Sequence, residues 1–267
     1  MSSMAWRSRW RLFWIGGTIS FRALFVFLDP WVYLPMMLLA PIVQILLFVY
    51  IGRAAGVEDA QFYVLGNAMQ YAALPCLWGM GQGVWSERFT GTLGLVLSSP
   101  ASRMLIFLGR AVPVIVNGWF VSMFALLVGG LVLGLHFDAL TLLEIAGAMM
   151  VGSFACTGLG LILGATSLRF LKAALLGNVL FDILLVFSGA NIARSALPEW
   201  MDKVGSVLPF THAISASRAV NAGQPWSTVR GDVLTELLVG AVYLALGLCL
   251  VARLERSSRR RATLELN

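Results

Sequence analysis

Long apolar runs separated by short polar segments dominate the pattern of this sequence. Six runs reach about the 20 residues that a helix needs to cross a bilayer. Backbone groups must be paired inside lipid, and no ten-residue alternating pattern indicates a barrel, so each run is predicted to be a helix. The fold class predicted is an all-α integral membrane protein with six transmembrane helices. The six runs are 31–51, 62–85, 104–135, 139–168, 171–193 and 233–254.

Two further segments are predicted to lie at the membrane without crossing it. Residues 1–30 mix arginines with aromatic residues, which is typical of an amphipathic helix in the interface; an extra short span is the alternative. Residues 194–230 are too apolar for a solvated loop, and Gly205 and Pro209 are predicted to break them into short pieces. We therefore expect a re-entrant helical hairpin over 197–222, on the outer side before the last span.

The positions of the basic residues predict the orientation. With six spans and cytoplasmic termini, 14 of the 19 Lys and Arg residues fall in or near the cytoplasm. This bias follows the positive-inside rule, so the six-span domain, residues 31–254, is predicted to have both termini in the cytoplasm. A basic tail, residues 255–267, follows the last span.

The composition excludes several classes of function. Hydrophobic residues make up 59% of the chain and charged residues 12%, about half the charged share of a soluble domain. The net charge of +6 arises in segments between apolar runs, so no nucleic-acid partner is predicted. Cys76, Cys156 and Cys249 are scattered, and His136 and His212 are far apart, so no disulfide framework or metal site is expected. No cluster of catalytic groups occurs, and the chain is predicted not to be an enzyme.

Polar residues inside the spans are candidates for a transport pathway. Asp182 lies deep in a span, and Asn178 precedes it by four residues on the same face. Asp182 is either functional or a packing group that is neutral or paired with Arg110. Asn67, Gln70 and Asn117 either line a cavity or cross-link helices. The fourth run has a small residue at every fourth position, which predicts close packing within the subunit or a moving or dimeric seam. These are Ala148, Gly152, Cys156, Gly160 and Gly164.

The segment 86–103 lies on the cytoplasmic side between the second and third spans. Phe89, Leu93, Val96 and Leu97 recur at helical spacing and Pro100 ends the pattern, which predicts a short helix over 86–99. Such a helix suits docking to another protein, or is an ordinary interfacial loop helix. No phosphate-binding loop of the G-x-x-x-x-G-K-[ST] type occurs, so any nucleotide is expected to bind a partner.

Three motifs resemble those of the permease subunits of the ABC type-2 exporter superfamily, and they follow one another along the chain in the same order as in that superfamily. The most specific is Glu87-Arg88-x-x-Gly91-Thr92-Leu93, followed by Ser99-Pro100-x-Ser102-Arg103 and by Gly109-Arg110. Pro35 and Pro41-Ile42 before Phe48 and Gly52 resemble the first span of that superfamily. The third motif, before the last span, is Leu208-Pro209-Phe210-Thr211-His212-Ala213-Ile214 with Arg218.

The resemblance implies a division of roles along the chain. It implies that the segment 86–99 is the coupling helix that contacts the ATPase, and that the hairpin over 197–222 is part of an outer gate. The coupling residues are Glu87, Arg88, Phe89, Gly91, Thr92, Leu93, Val96, Leu97, Pro100 and Arg103. The outer-gate residues are Pro198, Trp200, Pro209, Phe210, His212 and Arg218. The candidate pathway residues remain Asn67, Gln70, Asn117, Asn178 and Asp182.

The resemblance also implies partners. Two permeases, either two copies or this chain and a paralogue, assemble with two copies of a separate ABC ATPase subunit in the bacterial inner membrane. No cofactor is expected on this chain, while ATP and magnesium bind the ATPase. The predicted function is the permease subunit of an exporter for a drug, antibiotic or lipid/glycan-type substrate. The alternatives are an ion-gradient-driven secondary transporter that uses Asp182 and a membrane-embedded lipid-modifying enzyme.

Overall fold

The structure, a computed structural model, describes residues 30–56, 59–89, 103–167 and 173–261. The regular elements of that part of the chain are all helical, which confirms the predicted all-α class there. It begins with a turn, Pro30–Tyr33, and a π-helical stretch, Leu34–Leu39, which lead into α1 (Ala40–Ala55). The other helices are α2 (Ala60–Tyr71), α3 (Ala73–Phe89), α4 (Arg103–Val132), α5 (Ala139–Ser167), α6 (Ala173–Phe187), α7 (Glu199–Gly205), α8 (Thr211–Asn221) and α9 (Trp226–Arg261), with a 3₁₀ turn at Arg194–Ala196.

Within the described residues, four helical stretches are long and apolar enough to cross a membrane. They are Leu34–Ala55, Phe107–Val132, Ala139–Ser167 and Trp226–Arg253, and they match the first, third, fourth and sixth predicted runs. The predicted interfacial helix, residues 1–30, lies outside the described residues except for Pro30, and so does the end of the basic tail, 262–267.

Two prolines explain departures from a regular helix. The second predicted run is two helices because Pro75 has no N–H to bond the carbonyl of Tyr71, and the chain breaks at Ala72. There the N–H of Ala72 bonds three residues back, to the Met69 carbonyl at 3.1 Å. Pro41 likewise has no N–H for the carbonyl of Met37, and the helix before it widens to a π-helical turn, in which the N–H of Ala40 donates to the Pro35 carbonyl.

The fifth predicted run is shorter as a helix than its apolar length indicates. The prediction of 171–193 as one helix is wrong at its end, because α6 stops at Phe187. Two residues later Gly189 has a φ of +81°, a left-handed conformation that glycine adopts without steric cost. The chain then runs through the 3₁₀ turn into α7.

Helix α5 forms the centre of the fold and contacts α3, α4, α6, α8 and α9. Its small residues allow these contacts. A Cβ atom on Gly158 would lie 2.9 Å from the backbone nitrogen of Leu244 in α9, and one on Gly160 would overlap the carbonyl oxygen of Cys76 in α3. A Cβ atom on Gly152 would meet the ring of Phe210 near the beginning of α8. Gly152 and Gly160 thus serve packing within the subunit, the first of the two predicted roles.

The outward faces of the helices carry large apolar side chains. On α1 and α9 these residues recur at helical spacing, which is typical of surfaces that meet lipid or another apolar helix. They include Val43, Leu47, Tyr50, Leu234, Leu238, Val242 and Leu246, each at least half exposed.

Replacement of Gly160 tests the close approach of α5 and α3. We expect Gly160→Val to destabilise the protein by about 1–3 kcal/mol, because the added side chain meets the backbone of Cys76, which cannot move aside. The measurement is the thermal midpoint in detergent, followed by size-exclusion chromatography. Gly147→Val is the control on the same helix, since a Cβ atom there meets nothing within 4 Å. Equal midpoints for the two variants would contradict the packing described.

Candidate functional site

Helices α7 and α8 form a short helical segment between α6 and α9, which we call the outer segment after the side predicted for it from the sequence. The predicted breaks at Gly205 and Pro209 are confirmed, since α7 ends at Gly205 and α8 begins at Thr211. Side chains close the turn between them. The hydroxyl of Thr211 donates to the carbonyl of Gly205 at 2.7 Å, and Nε2 of His212 lies 2.8 Å from the carbonyl oxygen of Ser206.

Phe210 enters α8 in a strained conformation. Its φ of +71° is the only positive value at a non-glycine residue in the described ranges, and such a conformation costs about 1–3 kcal/mol. Burial of the ring offsets this cost, because the ring is fully buried against α5, where Gly152 leaves room for it. A Cβ atom on Gly152 would lie 2.7 Å from Cδ1 of Phe210.

The beginning of α8 is held by a carboxylate from α9. Oε1 of Glu236 accepts the N–H of Phe210 at 2.7 Å, and Oε2 accepts the N–H groups of His212 and Ala213 at 3.1 and 3.2 Å. The first N–H groups of a helix have no partner inside the helix, so these bonds satisfy donors that would otherwise be buried and unpaired. Glu236 itself has no exposed surface.

Sequence reasoning missed Glu236, although it lies inside the predicted sixth span. The available signal was a carboxylate four residues into an apolar run, following a short helix whose first turn has no acidic residue. Asp232, one turn earlier on α9, lies 3.9 Å from Nδ1 of His212 and is about half exposed.

Arg218 holds the other end of α8 against α6 and α2. Its Nη1 donates to the carbonyl of Gly189 at 2.8 Å, and its Nη2 donates to the carbonyls of Ala190 and Phe62 at 2.8 and 3.0 Å. The guanidinium carbon also lies 3.4 Å from the centroid of the Phe62 ring, a cation–π arrangement. Arg218 therefore satisfies carbonyls just beyond the end of α6, where no further helical turn supplies donors.

The predicted outer-gate residues fall into two groups. Pro209, Phe210, His212 and Arg218 lie together at and along α8. Pro198 and Trp200 lie instead at the beginning of α7. Trp200 is 61% exposed, and its ring meets that of Phe187 edge to face at 5.9 Å between centroids.

The candidate pathway residues also fall into separate groups. The first is a buried cluster of amide side chains. Gln44 of α1 donates through Nε2 to Oδ1 of Asn67 at 2.9 Å and to Oε1 of Gln70 at 3.1 Å. Asn67 donates to Oδ1 of Asn191 at 2.7 Å, and Gln70 to the carbonyl of Phe181 at 3.3 Å. These bonds join α1 and α2 to α6 and to the turn after it. Asn67 and Gln70 are therefore helix cross-links, one of the two roles predicted for them.

Asn117 forms a second cross-link. Its Oδ1 accepts the hydroxyl hydrogen of Tyr33 at 2.5 Å, which joins α4 to the turn before α1. On α6, by contrast, Asn178 and Asp182 are exposed on the outward face, next to the exposed apolar side chains of Leu175, Val179 and Val186. The structure thus separates these two residues from the buried polar residues of α1, α2 and α4.

No group of three or more His, Cys, Asp or Glu side chains that could hold a metal ion occurs within 30–56, 59–89, 103–167 or 173–261. The buried side chains of Glu236, Asn67 and Gln70 instead bond backbone groups or other side chains.

A family model described as "ABC-2 type transporter" matches residues 17–221, which is more than half of the chain. The chain belongs to the ABC-2 type transporter family. The match begins before the described residues and ends at Asn221, the last residue of α8. Helix α9, which carries Glu236, follows the matched region.

Two proteins named inner membrane transport permease YhhJ, from Escherichia coli (strain K12) and from Shigella flexneri, are similar to this ABC-2 family chain. Each is 24% identical to it over 176 residues, which is 63% of this chain and 45% of the relative. The chain therefore spans less than half of the length of the curated relatives it matches.

The predicted coupling residues lie around a part of this ABC-2 chain that is only partly described. Glu87, Arg88 and Phe89 complete α3, and Arg103 begins α4, with the backbone alone described at these four residues. Gly91, Thr92, Leu93, Val96, Leu97 and Pro100 lie outside the described residues. The coupling helix over 86–99 therefore stays a prediction.

Replacement of Asn67 tests the cross-linking role of the amide cluster. We expect Asn67→Ala to lower stability by about 1–2 kcal/mol, because the amide of Gln44 and the side-chain carbonyl of Asn191 each lose a partner. The thermal midpoint of the purified protein in detergent measures the change. Asn178→Ala is the control, since that side chain lies on the outward face of α6, and no change is expected. An unchanged midpoint for Asn67→Ala would sink the assignment.

Proposed function

We propose that this protein is the permease subunit of an ATP-binding-cassette exporter and that a separate ATPase subunit supplies the energy. Membership of the ABC-2 type transporter family is the observation that carries the proposal. The apolar helices and the inner-membrane relatives support a place in the bacterial inner membrane. A drug, antibiotic or lipid/glycan-type substrate fits outward faces that are mainly apolar.

The proposed topology has six crossings with both termini in the cytoplasm. Four are the long apolar helices, and the α2–α3 pair provides the second crossing. The 15 residues of α6 span about 22 Å at 1.5 Å per residue, whereas the hydrocarbon core is about 30 Å thick. Gly205 of α7 lies against the carbonyl of Phe187 at the end of α6. This contact supports a re-entrant outer segment that covers the part of the crossing that α6 leaves open.

The outward face of α6 supports a pathway between two permease copies, or between this chain and a paralogue. Asn178 and Asp182 are exposed there among apolar side chains, and a polar or charged group facing lipid is unfavourable. A second permease would cover this face and give both residues a protein or aqueous surrounding. In this proposal the candidate pathway residues are Asn178 and Asp182, while Asn67, Gln70 and Asn117 hold the helices in place.

In the proposed cycle the chain moves substrate without making or breaking bonds. ATP and magnesium bind to the two ATPase subunits, and this chain holds no cofactor. Closure of the ATPase pushes on the coupling helix, 86–99, and the motion passes to α3 and α4, which flank it in sequence. The two conformations differ in their affinity for ATP, and this difference provides the free energy of the change.

Copurification and ATP hydrolysis test the coupling proposal. We expect an ATPase to copurify with the protein in mild detergent, and Glu87→Gln or deletion of residues 91–93 to reduce hydrolysis at least about tenfold, because the contact that transmits the motion is lost. Glu144→Gln, at the other end of the membrane domain, is the matched control. Normal hydrolysis in the Glu87 and deletion variants would refute the coupling assignment. Transport in vesicles that follows a proton gradient without ATP would favour a secondary transporter instead.

Cysteine cross-linking tests the pathway interface on α6. In a Cys249→Ser background, which removes the exposed native thiol, we expect Asn178→Cys and Asp182→Cys to form covalent dimers in native membranes. The reason is that both positions face the second permease. Val242→Cys, half exposed on α9, is the control that should stay monomeric. Dimers formed at position 242 and not at 178 or 182 would place the interface on α9 and contradict the proposed pathway on α6. Cross-links to a different permease chain would indicate a heterodimer.

A further inference from the structure

Helix α8 is attached at its two ends by groups of opposite charge, a buried glutamate and a partly buried arginine, and the two attachments differ mechanically. At its beginning, both oxygens of Glu236 on α9 accept backbone N–H groups. Near its end, Arg218 reaches from α8 to carbonyls of α2 and of the turn after α6. One attachment therefore joins α8 to α9, and the other joins α8 to α2 and α6.

The attachment through Glu236 is rigid. Its carboxylate is on a short stem with no exposed surface, and its three partners are backbone groups at the beginning of one helix. The adjoining ring of Phe210 fits into the space left by Gly152 of α5, so a slide of α8 along α9 would also bring that ring into the α5 backbone. Neither contact can lengthen without being lost.

The attachment through Arg218 is compliant. The guanidinium is on a long flexible stem, and its acceptors are carbonyl oxygens, each with two lone pairs, two of them in a turn outside any helix. Another polar link on this side joins two amide side chains, Asn221 and Gln61, at 2.7 Å. Such contacts can be exchanged, or followed by side-chain rotation, while the helices move.

We infer that Glu236 is a positioning residue that makes α8 move with α9 and α5 as one unit, and that the seam between this unit and α2 with α6 is where the outer segment opens. The movement itself rests on the proposed transport function, whereas the positioning by Glu236 is a property of this chain alone. One experiment tests the positioning by Glu236, and a second tests the movement.

The first experiment measures amide hydrogen exchange of the full-length protein in detergent, without any ATPase. We expect Glu236→Gln to speed exchange about tenfold or more in the peptide that covers 208–214, because an amide nitrogen would face backbone donors in place of an acceptor. Glu236→Asp keeps both acceptor oxygens on a stem one carbon shorter and should restore most of the protection. Asp232→Asn, one turn away on the same helix, should leave this peptide at the wild-type rate. Wild-type exchange in Glu236→Gln would overturn the assignment of Glu236.

The second experiment compares two cross-links in the complex with the copurified ATPase. In the Cys249→Ser background, one pair joins α8 to α9 (His212→Cys with Asp232→Cys) and the other joins α8 to α2 (Asn221→Cys with Gln61→Cys). The same short, reducible, homobifunctional thiol reagent is used for both, and each cross-linked sample is compared with its own reduced form. The effect of the substitutions themselves then cancels.

We expect the α8–α2 cross-link to lower ATP hydrolysis at least about fivefold, since it closes the seam, and the α8–α9 cross-link to leave the rate within about twofold, since it joins parts that already move together. Loss of ATP hydrolysis on formation of the α8–α9 cross-link would overturn the inference that α8 and α9 move as one unit. An unchanged rate of ATP hydrolysis with the α8–α2 cross-link would overturn the inference that the outer segment opens at the seam between α8 and α2. If no ATPase associates with the protein, the proposed function fails, and hydrogen exchange still decides the role of Glu236.

Discussion

A peptide group inside a membrane domain must find its hydrogen-bond partner within the protein, and this constraint explains the least regular part of the structure. Carbonyl groups just after α6 and N–H groups at the beginning of α8 have no partner within a helix, although they lie among apolar helices. Two charged side chains resolve this. Arg218 donates to carbonyls after α6, and Glu236 accepts N–H groups at the beginning of α8. The outer segment can therefore stay short and non-helical in its turns.

The same constraint explains the breaks near the other end of the chain. Pro41 and Pro75 each remove a backbone donor from an otherwise helical stretch. A π-helical turn precedes Pro41, and the helix breaks at Ala72 before Pro75. Nearby side chains add bonds across helices, such as the hydroxyl of Tyr71, which donates to the carbonyl of Met36 at 3.0 Å. These irregularities lie next to the amide cluster that joins α1, α2 and α6.

Polar residues in the membrane domain thus serve distinct physical roles that their chemistry alone does not reveal. The amide cluster around Asn67 is buried and bonded to itself and to backbone, so it links helices. Asn178 and Asp182 are turned outward, where only a further protein or water can solvate them. Glu236 and Arg218 bond mainly backbone, and they decide where the outer segment lies. A carboxylate and a guanidinium are suited to this role because each makes several bonds at once.

The sequence by itself determined the helical class, the membrane setting and most helix positions, because the length of an apolar run and the position of a proline are local properties. It also indicated α8 and its residues Phe210, His212 and Arg218. Only the tertiary structure separated Asn67 from Asp182 and revealed Glu236. The reason is that the rotation of a helix about its own axis decides whether a polar side chain faces the core or the outside, and apolar runs that are hydrophobic on every side do not record that rotation. The partner of a helix end, likewise, comes from a residue distant in the chain, and only packing brings the two together.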